Sequence, residues 1–199
     1  MIQYNLSELF PSRQGEGANT GRPAVFIRLS GCNLACPWCD TDHRTRRQVG
    51  LETLLEEATS FGIGSIILTG GEPLVHPHWE ALVRALRARN LWVALETNAT
   101  VPLTPDQHAL FNYIAASPKT KAFALRQANE LRLVADGTLS AQSCRDIAAR
   151  LQAQRHYISP CWRNGRFAWN EALELLAELN SDRPLWSLSV QVHKLAGFP

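Results

Sequence analysis

Three of the five cysteines, Cys32, Cys36 and Cys39, lie within eight residues at a C-x3-C-x2-C spacing. Three thiolates on one short loop can bind three irons of a [4Fe–4S] cluster and leave the fourth iron without a protein ligand. An iron left open in this way can chelate a small molecule, so the spacing favours catalysis over electron storage. Structural zinc is the alternative, with His43 as a fourth ligand. Zinc sites, however, usually use two Cys/His pairs, and the sequence has no second C-x2-C pair.

A second motif, Thr69-Gly70-Gly71-Glu72-Pro73, follows the apolar run at residues 65–68. Two glycines allow the backbone to approach a ligand closely. Together with the cysteine motif, which also follows a hydrophobic strand pattern, it resembles the radical S-adenosylmethionine (SAM) superfamily. In that superfamily the open iron binds SAM, and an electron from the cluster cleaves SAM to a 5′-deoxyadenosyl radical. The resemblance implies an open-sided βα barrel and a contact between Gly71 and SAM.

Strand patterns alternate with amphipathic helical patterns along the chain. The predicted strands cover residues 24–29, 65–68, 91–96, 113–116, 130–134, 156–158 and 186–190. The predicted helix faces are Leu51, Leu54, Leu55 and Ala58; Trp79, Leu82, Val83 and Leu86; Cys144, Ile147, Ala148 and Leu151; and Ala172, Leu175, Leu176 and Leu179. Such alternation indicates parallel βα units with right-handed crossovers. Eight complete units need about 250 residues, so 199 residues predict an α/β fold of one domain over residues 1–199, a partial (incomplete) TIM-like barrel.

Composition excludes several classes of function. The chain has 20 basic and 18 acidic residues, and this net charge of +2 gives no field suited to a nucleic-acid backbone. The N-terminus lacks the basic start and apolar run of a signal peptide, and no apolar run approaches the roughly 18 residues of a membrane span. Five cysteines, an odd number, argue against a disulfide framework. We therefore expect a cytoplasmic protein with no membrane partner and no direct nucleic-acid partner.

Polar residues outside the two motifs form further candidate sites. Gln14-Gly15-Glu16-Gly17 precedes the first predicted strand and can project an amide and a carboxylate from a tight loop. Arg28 lies within an apolar strand, where a charge is costly without a partner. Gln14, Glu16 and Arg28 could read the amide edge and a carboxylate of a heterocycle. The alternative is a Glu16–Arg28 salt bridge.

Two later segments are ambiguous by themselves. Ser117-Pro118-Lys119 follows a predicted strand and alone would be a surface turn. His193 is a lone histidine, usually structural, although it alternates with Gln191 onto one face of an extended C-terminus. The segment Glu96-Thr97-Asn98 ends another strand, and it either contacts SAM or closes a turn.

In combination these segments resemble the 7-carboxy-7-deazaguanine synthase family over nearly the whole chain. The matching features, in order, are the Q-G-E-G loop, Arg28, the C-D-T ending at Thr41, T-G-G-E-P, S-P-K and the Q-x-H-K…P terminus. That family converts 6-carboxy-5,6,7,8-tetrahydropterin to 7-carboxy-7-deazaguanine with loss of ammonia, in the route to queuosine and other deazapurines.

The resemblance assigns roles residue by residue. Cys32, Cys36 and Cys39 would hold the [4Fe–4S] cluster, and Thr41 would bind Mg²⁺. The SAM contacts would be Trp38, Cys39, Asp40, Gly71, Ser117, Pro118 and Lys119. The pterin contacts would be Gln14, Gly15, Glu16, Arg28, Thr69, His193 and Pro199, the last through its terminal carboxylate. The N-terminal loop and the C-terminal tail would close the substrate site, and no catalytic side chain is expected beyond the cluster and SAM.

The resemblance also implies partners and leaves alternatives open. A reducing electron donor such as flavodoxin or ferredoxin and a homodimeric assembly are expected. A glycyl-radical-enzyme activase shares the cluster spacing, but it leaves the Q-G-E-G and C-terminal motifs unexplained. A zinc-stabilised RNA-binding module is the non-enzymatic alternative, and the near-neutral charge counts against it.

Overall fold

A nine-stranded mixed sheet forms the centre of the computed structural model, which describes residues 2–199. Its first eight strands are β1 (Gln3–Arg13), β2 (Pro23–Leu29), β3 (Arg47–Gly50), β4 (Ser65–Gly70), β5 (Trp92–Thr97), β6 (Tyr113–Ala116), β7 (Gln127–Ala135) and β8 (Gln152–Pro160). A separate hairpin follows, β9 (Trp162–Arg163) and β10 (Arg166–Phe167), and the ninth strand of the sheet is β11 (Trp186–Leu188). The helices are α1 (Leu51–Ser60), α2 (Trp79–Ala88), α3 (Pro105–Ala109), α4 (Ala141–Arg150), α5 (Trp169–Leu179) and α6 (Val192–Ala196). None of these helices has the length and apolarity needed to cross a membrane.

The strand order is β11-β8-β7-β6-β5-β4-β2-β1-β3. The seven strands from β11 to β2 in this order are parallel, whereas β1 runs antiparallel to both β2 and β3. Among residues 2–199, β11 and β3 are the outer strands and do not pair with each other, so the sheet stays open. This topology confirms the predicted partial TIM-like barrel.

The core explains how the strands are held in place. In β4, the apolar residues Ile66 to Leu68 are fully buried on both faces, as expected for a parallel strand covered on two sides. Ile66 and Leu68 pack with the helices, while Ile67 packs inside the barrel with Ala24, Ala94, Tyr113 and Ala115. Three of those inward neighbours are alanines, and small side chains leave room within the barrel. The predicted helix faces are largely buried, with Leu51, Ala148 and Leu176 only partly so.

Four strands were not predicted from the sequence, namely β1, β3 and the two strands of the β9–β10 hairpin. β1 precedes the strand predicted as the first, so the Gln14–Gly17 loop connects β1 to β2 instead of lying ahead of the sheet. Tyr4 and Leu6 in β1 are fully buried, but the register shifts between Leu6 and Glu8. A bulge of this kind breaks the two-residue alternation by which a strand is recognised.

The C-terminal segment also differs from its prediction. The strand expected over residues 186–190 ends at Leu188, and α6 follows at Val192–Ala196. Gln191 therefore precedes a short helix that contains His193, and the two do not alternate along a strand. The helix ends at Gly197, whose φ of 72° is left-handed and suits glycine at this position.

Candidate active site

A cavity of about 450 Å³ opens at the C-terminal ends of the parallel strands, the position expected for working residues in such a barrel. Most predicted site residues line it, namely Gln14, Gly15, Glu16, Arg28, Cys36, Trp38, Cys39, Asp40, Thr41, Thr69, Ser117, Lys119, His193 and Pro199. Cys32, Gly71 and Pro118 lie outside this lining. The fold thus brings together residues from both ends of the chain and from the central motifs.

The cysteine loop follows β2 and is anchored by backbone hydrogen bonds. The N–H of Gly31 donates to the carbonyl of His43 at 2.9 Å, and the N–H of Glu72 donates to the carbonyl of Gly31 at 2.9 Å. Cys32 and Cys36 are half-buried, Cys39 is exposed, and all three are free thiols. The loop therefore holds three unpaired thiols beside the cavity.

The surroundings of these thiols fit an iron–sulfur cluster. Within residues 2–199, no three His, Cys, Asp or Glu side chains converge closely enough to hold one ion. The Sγ of Cys32 lies 3.4 Å from the N–H of Leu34 and 3.9 Å from Nδ2 of Asn98, and such donors stabilise cluster sulfur ligands. Burial raises the pKa of the Cys36 thiol, and the Lys119 ammonium opposes that shift. A cation near Cys36 favours the thiolate that iron requires.

The Gly70-Gly71-Glu72 motif packs against the cysteine loop. Gly70 has a φ of 143°, and a Cβ there would overlap the carbonyl oxygen of Leu29; a Cβ on Gly71 would overlap the carbonyl oxygen of Gly31. Glu72 is fully buried and accepts hydrogen bonds from the N–H of Leu74 (3.1 Å), the hydroxyl of Thr97 (2.9 Å) and the N–H of Asn98 (2.6 Å). Both glycines are thus required by close packing, and contact between Gly71 and SAM stays a prediction.

Trp38, between the second and third cysteines, is fixed by two side chains from the segments that follow β6 and β7. Its indole Nε1–H donates to Oδ2 of Asp136 at 3.0 Å. The Nζ of Lys119 lies 4.9 Å from the centroid of its ring and donates to the hydroxyl of Ser117 at 2.6 Å. Burial lowers the pKa of Lys119. The S-P-K segment therefore meets the cysteine loop, although Pro118 lies outside the cavity lining, and its contact with SAM stays a prediction.

A cluster of charges at the cavity, centred on Arg132 of β7, was not anticipated from the sequence. Arg132 is only 5 % exposed, and it forms ion pairs with Glu16, with Glu96 at 2.9 Å and with Glu130 at 2.6 Å. Arg132, Glu16 and Glu96 all line the cavity. The Glu16–Arg28 salt bridge considered from the sequence is therefore wrong, because Glu16 pairs with Arg132.

The Q-G-E-G loop is held against this cluster. The side chain of Gln14 is buried; its Nε2 donates to Oε1 of Glu96 at 2.8 Å, and its Oε1 accepts from the N–H of Glu16 at 3.1 Å. A Cβ on Gly17 would overlap the Glu130 carboxylate, whose Oε2 accepts from the N–H of Ala18 at 2.9 Å. The loop thus needs glycine where it meets the barrel, and Gln14 uses both ends of its amide within the protein.

Arg28 and Thr41 lie together on another wall of the cavity. The Nη1 of Arg28 is 3.5 Å from Oγ1 of Thr41, which is also 3.5 Å from Oδ1 of Asp40. On its other side, Nε of Arg28 lies 2.8 Å from Oε2 of Glu8, an ion pair without hydrogen-bond geometry. Thr69, opposite Arg28 in the β2–β4 pairing, also lines the cavity. The site therefore offers a guanidinium and hydroxyls to one ligand group.

The C-terminal tail, defined here as residues 189–199, crosses the cavity and is tied to the N-terminal loop. The N–H of Val192 donates to the carbonyl of Gly15 at 2.9 Å, Nε2 of Gln191 donates to Oε1 of Glu16 at 2.6 Å, and Lys194 pairs with Asp40. His193 occupies the space that a Cβ on Gly15 would need.

The last residue of the tail is fixed as well. The carbonyl oxygen of Pro199 accepts from the hydroxyl of Ser12 on β1 at 2.5 Å. These contacts join the two terminal segments, and closure of a substrate site by them stays a prediction.

Several residues of the site were missed or left undecided from the sequence. The sequence allowed two roles for Glu96 and Asn98, contact with SAM or closure of a turn. In the structure Glu96 lies in the charge cluster, and Nδ2 of Asn98 donates to Oδ1 of Asn33 in the cysteine loop at 2.9 Å. The signal for Arg132 was present, since it is a charge within an apolar strand pattern, the same argument that singled out Arg28. Asp136 carried no such signal, because it follows its strand as an ordinary turn residue.

Comparisons with known proteins identify the family of the chain. Residues 26–117 match the family model of the Radical SAM superfamily. The chain is 42% identical over 98% of its length to a 7-carboxy-7-deazaguanine synthase of Neisseria meningitidis, 94% of which is covered. It is 39% identical over 98% of its length to the enzyme of that name from Haemophilus influenzae, with 93% covered.

A solved structure supports the same assignment. The crystal structure of QueE from Escherichia coli superimposes with a TM-score of 0.72 at 25% identity, covering 97% of this chain and 96% of that one. Sequence relatives and fold therefore point the same way: the chain belongs to the 7-carboxy-7-deazaguanine synthase family of the radical SAM superfamily.

Proposed function

We propose that this protein converts 6-carboxy-5,6,7,8-tetrahydropterin to 7-carboxy-7-deazaguanine with release of ammonia, as a radical SAM lyase. The observation that carries the proposal is the single cavity in which the cysteine loop, the Q-G-E-G loop and the C-terminal tail meet. The named relatives favour this function over a glycyl-radical-enzyme activase or a zinc-stabilised RNA-binding module.

The cysteine loop and its neighbours would hold the redox cofactors. Cys32, Cys36 and Cys39 would bind a [4Fe–4S] cluster, and SAM would lie against Trp38 and Lys119. Bound there, cluster and SAM supply the radical that removes a hydrogen atom from the substrate. The chain's own task is to hold the reacting atoms close together and to exclude competing reactants.

The remaining walls of the cavity suit a carboxylated pterin. Arg28 can bind the substrate carboxylate through its forked donors, and Glu16 offers acceptors to the N–H groups of the ring. Mg²⁺ usually keeps few protein ligands, and Thr41 as a single protein ligand fits that pattern. Because Arg28 lies 3.5 Å from Thr41, a cation at Thr41 needs a negative charge nearby, and the substrate carboxylate would provide it.

Further features of the proposal concern partners and setting. The exposed Cys39 leaves the cluster accessible to a reducing donor such as flavodoxin or ferredoxin. A homodimer is proposed from the family resemblance. Five free cysteines suit a reducing compartment such as the cytoplasm, and the pathway proposed for the product is queuosine and 7-deazapurine synthesis.

Anaerobic turnover tests the function directly. Reconstituted protein is incubated with 6-carboxytetrahydropterin, SAM, Mg²⁺ and a reductant, and the products are identified by mass spectrometry. We expect 7-carboxy-7-deazaguanine. SAM cleavage to 5′-deoxyadenosine without that product would retain the superfamily and reject the substrate, whereas loss of both iron and SAM cleavage would favour the zinc hypothesis.

A further inference from the structure

The guanidinium of Arg132 joins three carboxylates that belong to separate parts of the chain. Its Nη2 lies 3.1 and 2.9 Å from the two carboxylate oxygens of Glu96. Both Nη2, at 2.6 Å, and Nε, at 3.0 Å, donate to Oε1 of Glu130. Its Nη1 pairs with Glu16. Glu16 lies in the Q-G-E-G loop, Glu96 in β5 and Glu130 in β7. One buried side chain therefore sets the relative positions of all three.

The three carboxylates are not equivalent. Glu130 is 1% exposed, and its second oxygen accepts from the hydroxyl of Tyr113 and the N–H of Ala18, both at 2.9 Å. Both oxygens of Glu130 thus accept hydrogen bonds from groups of the protein, and this carboxylate holds Arg132 in place. Glu16 and Glu96, in contrast, both line the cavity, so of the three carboxylates only these two can meet a ligand.

We propose that Arg132 is a positioning residue for substrate recognition: it fixes Glu16 and Glu96 side by side as one paired hydrogen-bonding surface for the 2-amino-4-oxopyrimidine edge of the pterin. This inference rests on the proposed function. The edge presents adjacent N–H donors beside a carbonyl acceptor, so an ionised carboxylate can accept from the donors while a protonated carboxyl held beside it donates to the carbonyl.

The electrostatics of the cluster fit this role. Burial opposes ionisation of Glu16, yet its pairing with Arg132 holds the pKa of that carboxyl below its usual value. Burial raises the pKa of Glu96 to about 7, because Arg132 only partly offsets it and Glu130 and Glu16 add repulsion. Gln14, a neutral donor, is the other group hydrogen-bonded to Glu96. The pair therefore offers one charged acceptor and one carboxyl that can hold a proton near neutrality.

Lysine cannot replace Arg132 in this arrangement. The planar guanidinium directs five N–H donors along fixed directions, and the ammonium of lysine is a compact point charge on a flexible stem. Arg132→Lys keeps the positive charge of the cluster but removes the fork that spans Glu16 and Glu96. The substitution thus separates positioning from simple charge balance.

The test compares Arg132→Lys with Arg22→Lys. Arg22 stacks over Trp92 at 3.6 Å and donates to Ser65 at 3.2 Å, and Ser65 begins β4 at the opposite end of the barrel. We expect Arg132→Lys to raise the KM for the pterin about 10- to 100-fold, the range for one or two lost charge-assisted hydrogen bonds. Its iron content and SAM binding should be unchanged, and Arg22→Lys should leave the KM for the pterin unchanged.

A second variant covers the case in which Arg132→Lys does not fold. Glu96→Gln keeps the volume of the side chain and removes its titration. Wild type should therefore show a limb in its kcat/KM profile near pH 7 that Glu96→Gln lacks. An unchanged KM in folded Arg132→Lys, or an unchanged limb in Glu96→Gln, would overturn the inference. The proposed function fails separately, by the wild-type protein forming no deazaguanine product.

Discussion

Replacing Gly15 by alanine should weaken the contacts that hold the C-terminal tail against the Q-G-E-G loop. A Cβ at this position would overlap Nδ1 of His193 and would lie 3.0 Å from its Cγ and 3.2 Å from its Cβ. Rotation of the imidazole ring about χ2 leaves its Cβ and Cγ in place. Rotation about χ1 would move Cγ but would still leave the Cβ at 3.2 Å, so the methyl group displaces the His193 ring and pushes α6 away from the Q-G-E-G loop.

The magnitude follows from the contacts that such a movement breaks. The hydrogen bond from Val192 to Gly15 is between neutral groups and contributes about 1 kcal/mol, while that from Gln191 to the Glu16 carboxylate contributes about 1.5–3 kcal/mol. Only molecules with a closed tail hold the complete substrate site. Because the apparent affinity falls with the competent fraction, the KM for the pterin should rise about 10- to 100-fold.

Steady-state kinetics and limited trypsin digestion measure this effect together. Lys194 lies in α6 and pairs with Asp40 in the closed tail, so an open tail should be cleaved there faster. Gly64→Ala is the matched control, since a Cβ at Gly64 meets nothing within 4 Å. If Gly15→Ala shows the wild-type KM and the wild-type rate of cleavage, the tail does not gate the site and this reasoning is wrong.

Three further predictions concern the cofactor sites and the charge cluster. Cys36→Ala should abolish bound iron and its visible absorbance, whereas Cys144→Ala, a change in the core, should retain them; equal iron in both would remove Cys36 from the ligand set. Thr41→Ala should weaken the stimulation of turnover by Mg²⁺ at unchanged iron content, and an unaltered Mg²⁺ titration would contradict its assignment. The raised pKa of Glu96, about 7, means that the folded state binds a proton which the unfolded state releases at lower pH, so the stability this group contributes is present at acid pH and is lost as pH rises towards 7. The free energy of unfolding of Glu96→Gln, taken relative to that of wild type, should therefore be higher at about pH 8 than at about pH 5. Denaturant unfolding that shows the same difference at both pH values would refute this.

Much of the barrel could be predicted because its signals are local. The helix faces follow the 3.6-residue period, and β4 is a short apolar run between glycines, so both elements are recognisable without knowledge of their neighbours. The capping box at Thr104 and Gln107, with Pro105 at the first helical position, is also a local signal. It marks α3, which was overlooked although the sequence contains it.

The features that could not be predicted depend on distant partners. α6 has five residues and is held by the contact of Val192 with Gly15, so its own sequence carries little helical preference. Arg132 pairs with Glu16, which is 116 positions away in the sequence. No sequence periodicity predicts a pairing over such a distance. The cysteine motif behaves differently, since its three thiols share one loop and their spacing already limits the chemistry.

This contrast between local and distant contacts bears on how the enzyme is made. Gln191 and Glu16 are separated by 175 positions, and closing so long a loop costs chain entropy before the contact forms. The cysteine loop, by contrast, is complete once its own eight residues and the adjoining strands have emerged from the ribosome. A nascent chain therefore carries the three thiols while the tail is still being translated, so iron delivered during synthesis would meet a cavity that the tail does not yet cross.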